Sequence, residues 1–232
     1  MKKMKTIKTL MAVACGLAVS GNAFALEPIE ADFGADLVST YIWRGQKLDD
    51  AALQPSLTVG CGGLSLNAWG SVGVVQGDYK EFDLALSYEI GGFSVVATDY
   101  FCADSNTDYF DYSEDTPHTF ELGLSYDFGF MSLSWFSNVL GATGCNEDGD
   151  NVMASYFEVA APFEFGGLDW SAALGASPFE NDFYGTSGFG IVNCSLTASK
   201  DLTIGSAKLP VFAQIMANPR AERVFFAVGV SF

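Results

Sequence analysis

Alternation with a period of two residues, sustained over one segment after another, is what most constrains this chain. Between 119 and 128, Thr119, Glu121, Gly123, Ser125 and Asp127 occupy one parity, with Phe120, Leu122, Leu124, Tyr126 and Phe128 on the other. Side chains of a strand point alternately to its two faces, so such a segment has one apolar and one polar face. In 81–90, Phe82, Leu84, Leu86, Tyr88 and Ile90 oppose Glu81, Asp83, Ala85, Ser87 and Glu89. In 152–165, Met153, Phe157, Val159, Phe163 and Phe165 oppose Tyr156, Glu158 and Glu164.

The same reading predicts twelve strands, over 33–44, 56–61, 64–73, 81–90, 93–101, 119–128, 130–140, 152–165, 168–176, 188–198, 209–217 and 223–232. Most approach the ~9–11 residues that a tilted strand needs to cross a hydrocarbon layer. Tight turns fall at Gly62-Gly63, Gly91-Gly92, Gly129 and Gly166-Gly167, with a slightly longer one over 199–208. Between them lie wider polar connections at 46–55, 74–80, 102–118, 141–151, 177–187 and 218–222. Short turns on one side and long loops on the other is the pattern of a transmembrane up-and-down β-barrel, with the short side periplasmic. Aromatic residues beside the tight turns (Tyr88, Phe93, Phe128, Phe130, Phe165, Trp170) suit one membrane interface. Tyr41, Trp43, Tyr100, Phe101, Trp135 and Phe136 are expected toward the other rim or upper wall.

Parity alone cannot separate a barrel with a wet lumen from a soluble sandwich with a charged outer face, and the ends of the chain decide between them. Lys2, Lys3, Lys5 and Lys8 precede an apolar run from Leu10 to Val19, followed by Ala23-Phe24-Ala25. That is the layout of a signal peptide, and the run is about half the ~20 residues of a membrane-crossing helix. Cys15 follows Ala12-Val13-Ala14, which lacks the Leu usual in a lipoprotein box. Residues 1–25 are therefore expected to be removed, leaving 26–232 as one barrel domain. The final segment alternates Val224, Phe226, Val228, Val230 and Phe232 against Phe225, Ala227, Gly229 and Ser231. It resembles the terminal strand of Gram-negative outer-membrane barrels, and that resemblance implies Phe232 as an assembly signal for the barrel assembly machinery.

Charge and cysteine usage exclude several functions. The chain has 28 acidic and 11 basic residues, a formal net charge of −17, and four of the 11 lie in the export segment. Nucleic acid is not a partner for such a surface, because binding it needs clustered Lys and Arg. No cofactor motif is present, and one His with no CxxC spacing argues against a metal site. Cys102 and Cys145 share the long-loop side and are the pair to test for a disulfide; unpaired packing roles are the alternative. The acidic loops hold Asp104, Asp108, Asp111, Glu114 and Asp115, then Glu147, Asp148 and Asp150. Asn146 to Asn151 offers oxygen ligands but lacks the terminal Glu of an EF-hand loop, so a hydrated, self-repelling loop is expected, with divalent cations bridging the loops to lipopolysaccharide as the alternative.

The polar face supplies the candidate pore-lining residues Asp36, Arg44, Glu81, Asp83, Glu89, Glu121, Asp127, Glu158 and Glu164. Segment 33–44 is less clean, because Val38 and Ile42 share parity with Asp36 and Arg44. The two ions are assigned inward, since a charge in hydrocarbon costs about 2–4 kcal/mol for Arg or Lys at mid-depth. Arg44 is then expected high in the lumen with Glu81, Asp83 and Glu121, as a structural clamp or the source of a transverse field.

Val38-Ser39-Thr40-Tyr41-Ile42-Trp43-Arg44-Gly45, with Gln54-Pro55 and Asn67-Ala68-Trp69-Gly70, resembles the N-terminal region of the TorF-like porin family of Gram-negative outer-membrane proteins. The likeness covers about the first third of the mature chain and implies an outer-membrane barrel with a pore role; it brings no catalytic residues. The reading is a passive channel for small solutes, cation-preferring, among outer-membrane lipids and lipopolysaccharide. A closed barrel acting as a structural or adhesion module through its acidic loops is the alternative. A lipid-modifying enzyme is a further one, but the single His118 shares parity with Phe120 and Leu122 and belongs to the outer face or rim, not to an acid–base site.

Overall fold

The structure, a computed structural model, describes residues 28–74, 79–103, 108–113, 116–205 and 207–232. The proposed signal peptide, Cys15, Asp104, Glu114 and Asp115 lie outside these. Among the described residues there are fourteen strands: β1 (Glu30–Val38), β2 (Tyr41–Trp43), β3 (Gln46–Asp49), β4 (Ala52–Cys61), β5 (Leu64–Gly73), β6 (Lys80–Ile90) and β7 (Phe93–Ala103). They continue with β8 (His118–Asp127), β9 (Ser132–Gly141), β10 (Ser155–Phe165), β11 (Leu168–Ser177), β12 (Gly190–Ile204), β13 (Ala207–Asn218) and β14 (Arg223–Ser231). Twelve of them close an antiparallel barrel in sequence order, β4 through β14 and back to β1, while β2 and β3 pair only with each other.

Register proves the two faces. Tyr88, Val95, Leu124, Trp135 and Phe157 sit opposite one another in turn across β6–β10. All five are at least 36 % exposed, so this row runs along the outer wall. One residue away, Ser87, Val96, Gly123, Phe136 and Tyr156 form the matching inner row. An outer surface of Leu, Val, Phe and Trp at that exposure suits lipid far better than water. The tight turns are as expected: Gly62 and Gly91 take φ of 61° and 60°, the left-handed geometry that short hairpins require.

Several expected boundaries shift, three of them with consequences. Segment 56–61 begins earlier, at Ala52, because Ala52–Leu53 already pair with Gly73 and Val72. Segment 188–198 runs on to Ile204, paired through Thr203↔Lys208, so the turn is at Gly205 and not across 199–208. Segment 33–44 is the large correction, since it is not one strand. β1 ends at Val38, where Ser39 N–H donates to Val228 O (2.8 Å) and Ser39 Oγ accepts Val228 N–H (3.0 Å). The chain then leaves the wall and folds inward as the β2–β3 hairpin.

That hairpin makes the core lie inside the barrel. Val38, Tyr41 and Ala52 are buried together with Trp43, Leu48, Trp69, Tyr79 and Phe212 around them. Ala154, Tyr156, Tyr184 and Val192 form a second buried group, with Trp43, Phe136 and Phe183 against it. Trp43 belongs to both. Tyr41, Trp43, Tyr100 and Phe136 are thus lumen residues, not members of a rim belt. Small inner-wall residues make the room: a Cβ on Gly175 would lie 2.0 Å from the Tyr156 hydroxyl.

Candidate functional site

Arg44 and Gly45 are the turn of the β2–β3 hairpin, with φ of 45° and 83° and Trp43 paired to Gln46. Gly45 is tied to β13, its N–H to Met216 Sδ (3.1 Å) and its carbonyl to Asn218 Nδ2 (3.1 Å). Left-handed backbone on a non-glycine residue costs on the order of 1–3 kcal/mol, so Arg44 must be held by its side chain. The guanidinium donates to both Glu121 oxygens, at 2.5 and 2.9 Å, and to the Tyr184 hydroxyl at 3.0 Å. It also lies 4.4, 4.0 and 4.9 Å from the ring centres of Trp43, Phe136 and Tyr156. The ion pair is 10 % and 2 % exposed on its two sides, and Tyr100 adds a third donor to Glu121 at 2.9 Å. A bidentate pair of this kind fixes direction as well as distance.

Glu81 is the second anchor. Its Oε2 accepts the hydroxyls of Tyr41 (2.8 Å), from the hairpin, and Tyr79 (3.1 Å), from the connection before β6. Among the described residues, its Oε1 meets the Cys102 thiol alone, at 3.7 Å. Asp83, two residues on along the same face, is 8 % exposed with Oδ1 unpartnered. Glu158 accepts the Tyr156 hydroxyl (2.5 Å) and Asn193 Nδ2 (3.2 Å). Asp36 sits on the inner face, between Gln54 and Ser231. Glu89, Asp127 and Glu164 share that face at the tight-turn end and are exposed, with Asp127 Oδ1 accepting the Gly129 N–H at 2.7 Å. The candidates therefore fall into two tiers. Arg44, Glu81, Asp83 and Glu121 meet at the hairpin; the other five do not join that cluster.

Cys102 and Cys145 are free thiols and not a bridge. Cys102 faces Glu81 and Tyr79 inside the barrel, whereas Cys145 stands beside Asn151 in the fourth loop. In that loop and in the 177–187 connection beside it, oxygens that could have met a cation serve backbone amides instead. Asn146 Oδ1 takes Asp150 N–H, Asp182 Oδ1 takes Cys145 N–H, and Glu180 Oε1 takes Glu147 N–H.

His118 is on the outer face, as its parity requires, but it is fully buried and not a rim loop residue. Nδ1 lies 2.7 Å from Asp99 Oδ1 and Nε2 2.7 Å from the Tyr109 carbonyl, with Tyr112 stacked on the ring at 4.4 Å. Tyr109 packs edge-on against Phe82 and Phe101, so the described part of the third loop lies against the outside of the wall. Both ring nitrogens are engaged with acceptors, leaving none for a substrate proton. Asp99→Asn is expected to cost about 1–3 kcal/mol and to free this loop segment. Protease cleavage near 108–113 in the folded protein measures it; an unchanged cleavage rate would discount the clamp.

No protein-family model matches this chain, and no curated protein matches it. Among solved structures it is similar to the NanC porin, at 9 % identity over 86 % of this chain and 98 % of that one, with a TM-score of 0.48. It is similar to Salmonella typhi OmpF in complex with daunomycin at 11 % identity (89 % and 97 % covered, TM-score 0.38). An outer-membrane channel of Pseudomonas putida F1 gives 12 % identity (92 % and 98 % covered, TM-score 0.40). At such values the functional reading rests on the chain's own geometry.

Proposed function

We propose that this protein is a porin-like passive channel in the outer membrane of a Gram-negative bacterium, exported by residues 1–25 and related to the TorF-like porins. The observation that carries the reading is a closed barrel with an apolar outer wall and an inner face bearing Asp36, Glu81, Asp83, Glu89, Glu121, Asp127, Glu158 and Glu164 against Arg44. Lipid and lipopolysaccharide surround the wall, and small solutes are the cargo. With Glu121 neutralised by Arg44, the remaining carboxylates favour cations. Planar-bilayer recordings in a salt gradient are expected to show a cation-selective reversal potential; anion preference or no conductance would sink the reading.

The second reading is a closed barrel serving as a structural or adhesion module through its loops. The inward hairpin favours it, because Trp43, Tyr41 and Arg44 occupy lumen that a wide pore would leave to water. Liposome swelling with small sugars and amino acids separates the two, since a permanently closed barrel gives no swelling.

A further inference from the structure

The hairpin leaves a cavity of about 210 Å³ between itself and the β6–β8 wall. Trp43, Gln46 and Leu48 form the hairpin side, and Tyr79, Glu81 and Tyr100 face them from the wall side. We propose that this cavity is a binding site for a small organic cation of the methylated-ammonium type. The proposal deepens the channel reading, since it names a solute class for the same lumen.

Three observations converge on that class. The lining is aromatic, and ring faces attract cations electrostatically, most of all when water is excluded. Among the described residues, Glu81 spends Oε2 on two phenols and Oε1 meets a thiol at 3.7 Å, so one carboxylate oxygen remains for a charge in the cavity. No basic side chain among the described residues is paired with Glu81 or Asp83, and the one buried cation, Arg44, is committed to Glu121. Two carboxylates buried in an apolar surround without a counter-charge are costly, and an incoming cation lowers that cost. An anion meets the opposite field. The volume falls below the roughly 300–1,000 Å³ of drug-sized sites, which restricts the site to a small ion.

The test is calorimetric titration of the full chain, refolded in detergent, with choline and with its uncharged isostere 3,3-dimethylbutan-1-ol. Choline is expected to bind and the alcohol to bind at least about tenfold more weakly. Glu81→Gln keeps an oxygen for the phenols and should abolish most of the choline affinity. Gln46→Lys places the protein's own ammonium in the cavity and should compete choline out, without removing any wall contact. A shift between boiled and unboiled samples on a gel verifies that each variant has folded. Equal binding of choline and the alcohol, or undiminished choline binding by both variants, overturns the proposal. Because the readout needs no current, a barrel that binds choline but does not conduct refutes the channel alone. One that conducts without binding refutes the site alone.

Discussion

Replacing Arg44 by alanine is expected to release the hairpin from the lumen and raise single-channel conductance several-fold. The pair it forms with Glu121 is bidentate and almost wholly buried. Removing one member of a buried pair costs about 3–5 kcal/mol, because the other charge is left stranded. The packing of the guanidinium on Trp43, Phe136 and Tyr156 goes with it. That cost falls on the docked hairpin and not on the barrel, whose twelve strands pair without any contribution from β2 or β3. Undocking relieves it by letting water reach Glu121.

A second substitution reaches the same state by a different route. A Cβ on Gly45 would lie 1.8 Å from the Val192 carbonyl oxygen, and φ of 83° is poor for any L side chain. Gly45→Ala should therefore match Arg44→Ala in conductance, with the barrel still shifted on an unboiled gel. Arg44→Lys should fall between, since an ammonium is a point charge and cannot make the paired contact. Conductance unchanged in both Arg44→Ala and Gly45→Ala would mean that the hairpin does not control the pore.

The wall was legible in the sequence because a period of two survives whatever surrounds it. Phe120, Leu122 and Leu124 face out for the same reason that Thr119, Glu121 and Gly123 face in. The hairpin was not legible as such, although segment 33–44 carried its trace. Val38 and Ile42 share parity with Asp36 and Arg44, an inconsistency that a single strand cannot resolve. The structure resolves it by ending the strand at Val38 and burying Tyr41 against Glu81 instead of against lipid. What placed Arg44 is Glu121, 77 residues further along the chain, and no local pattern encodes so distant a pair. His118 makes the same point on the outside: parity fixed its face, but its burial depends on Tyr109 and Tyr112, from a loop with no periodicity to read.

The assignment of faces has its own decisive experiment, at the middle of β6. Leu86 is 52 % exposed on the outer wall, opposite Leu66 and Ala97, while its neighbour Ala85 stands on the inner face opposite Asn67 and Thr98. Leu86→Arg would place a guanidinium in hydrocarbon near mid-depth, at a cost of about 2–4 kcal/mol in folding into a bilayer. Ala85→Arg puts the same side chain on the inner face beside Asn67 and Thr98, two residues from Asp83, where it is attracted and kept out of lipid. Refolding into lipid vesicles under increasing urea should show the first variant strongly destabilised and the second close to the parent. The inner arginine should also weaken the proposed cation preference by adding positive charge to the lumen, an effect the outer one cannot produce. A soluble sandwich predicts the same order under urea, so it is the closure of the sheet that sets it aside. In a sandwich the Leu86 face would be a dry core, and the apolar exposure seen across β6–β10 would have to be covered by a second sheet that the closed barrel has no strands left to form.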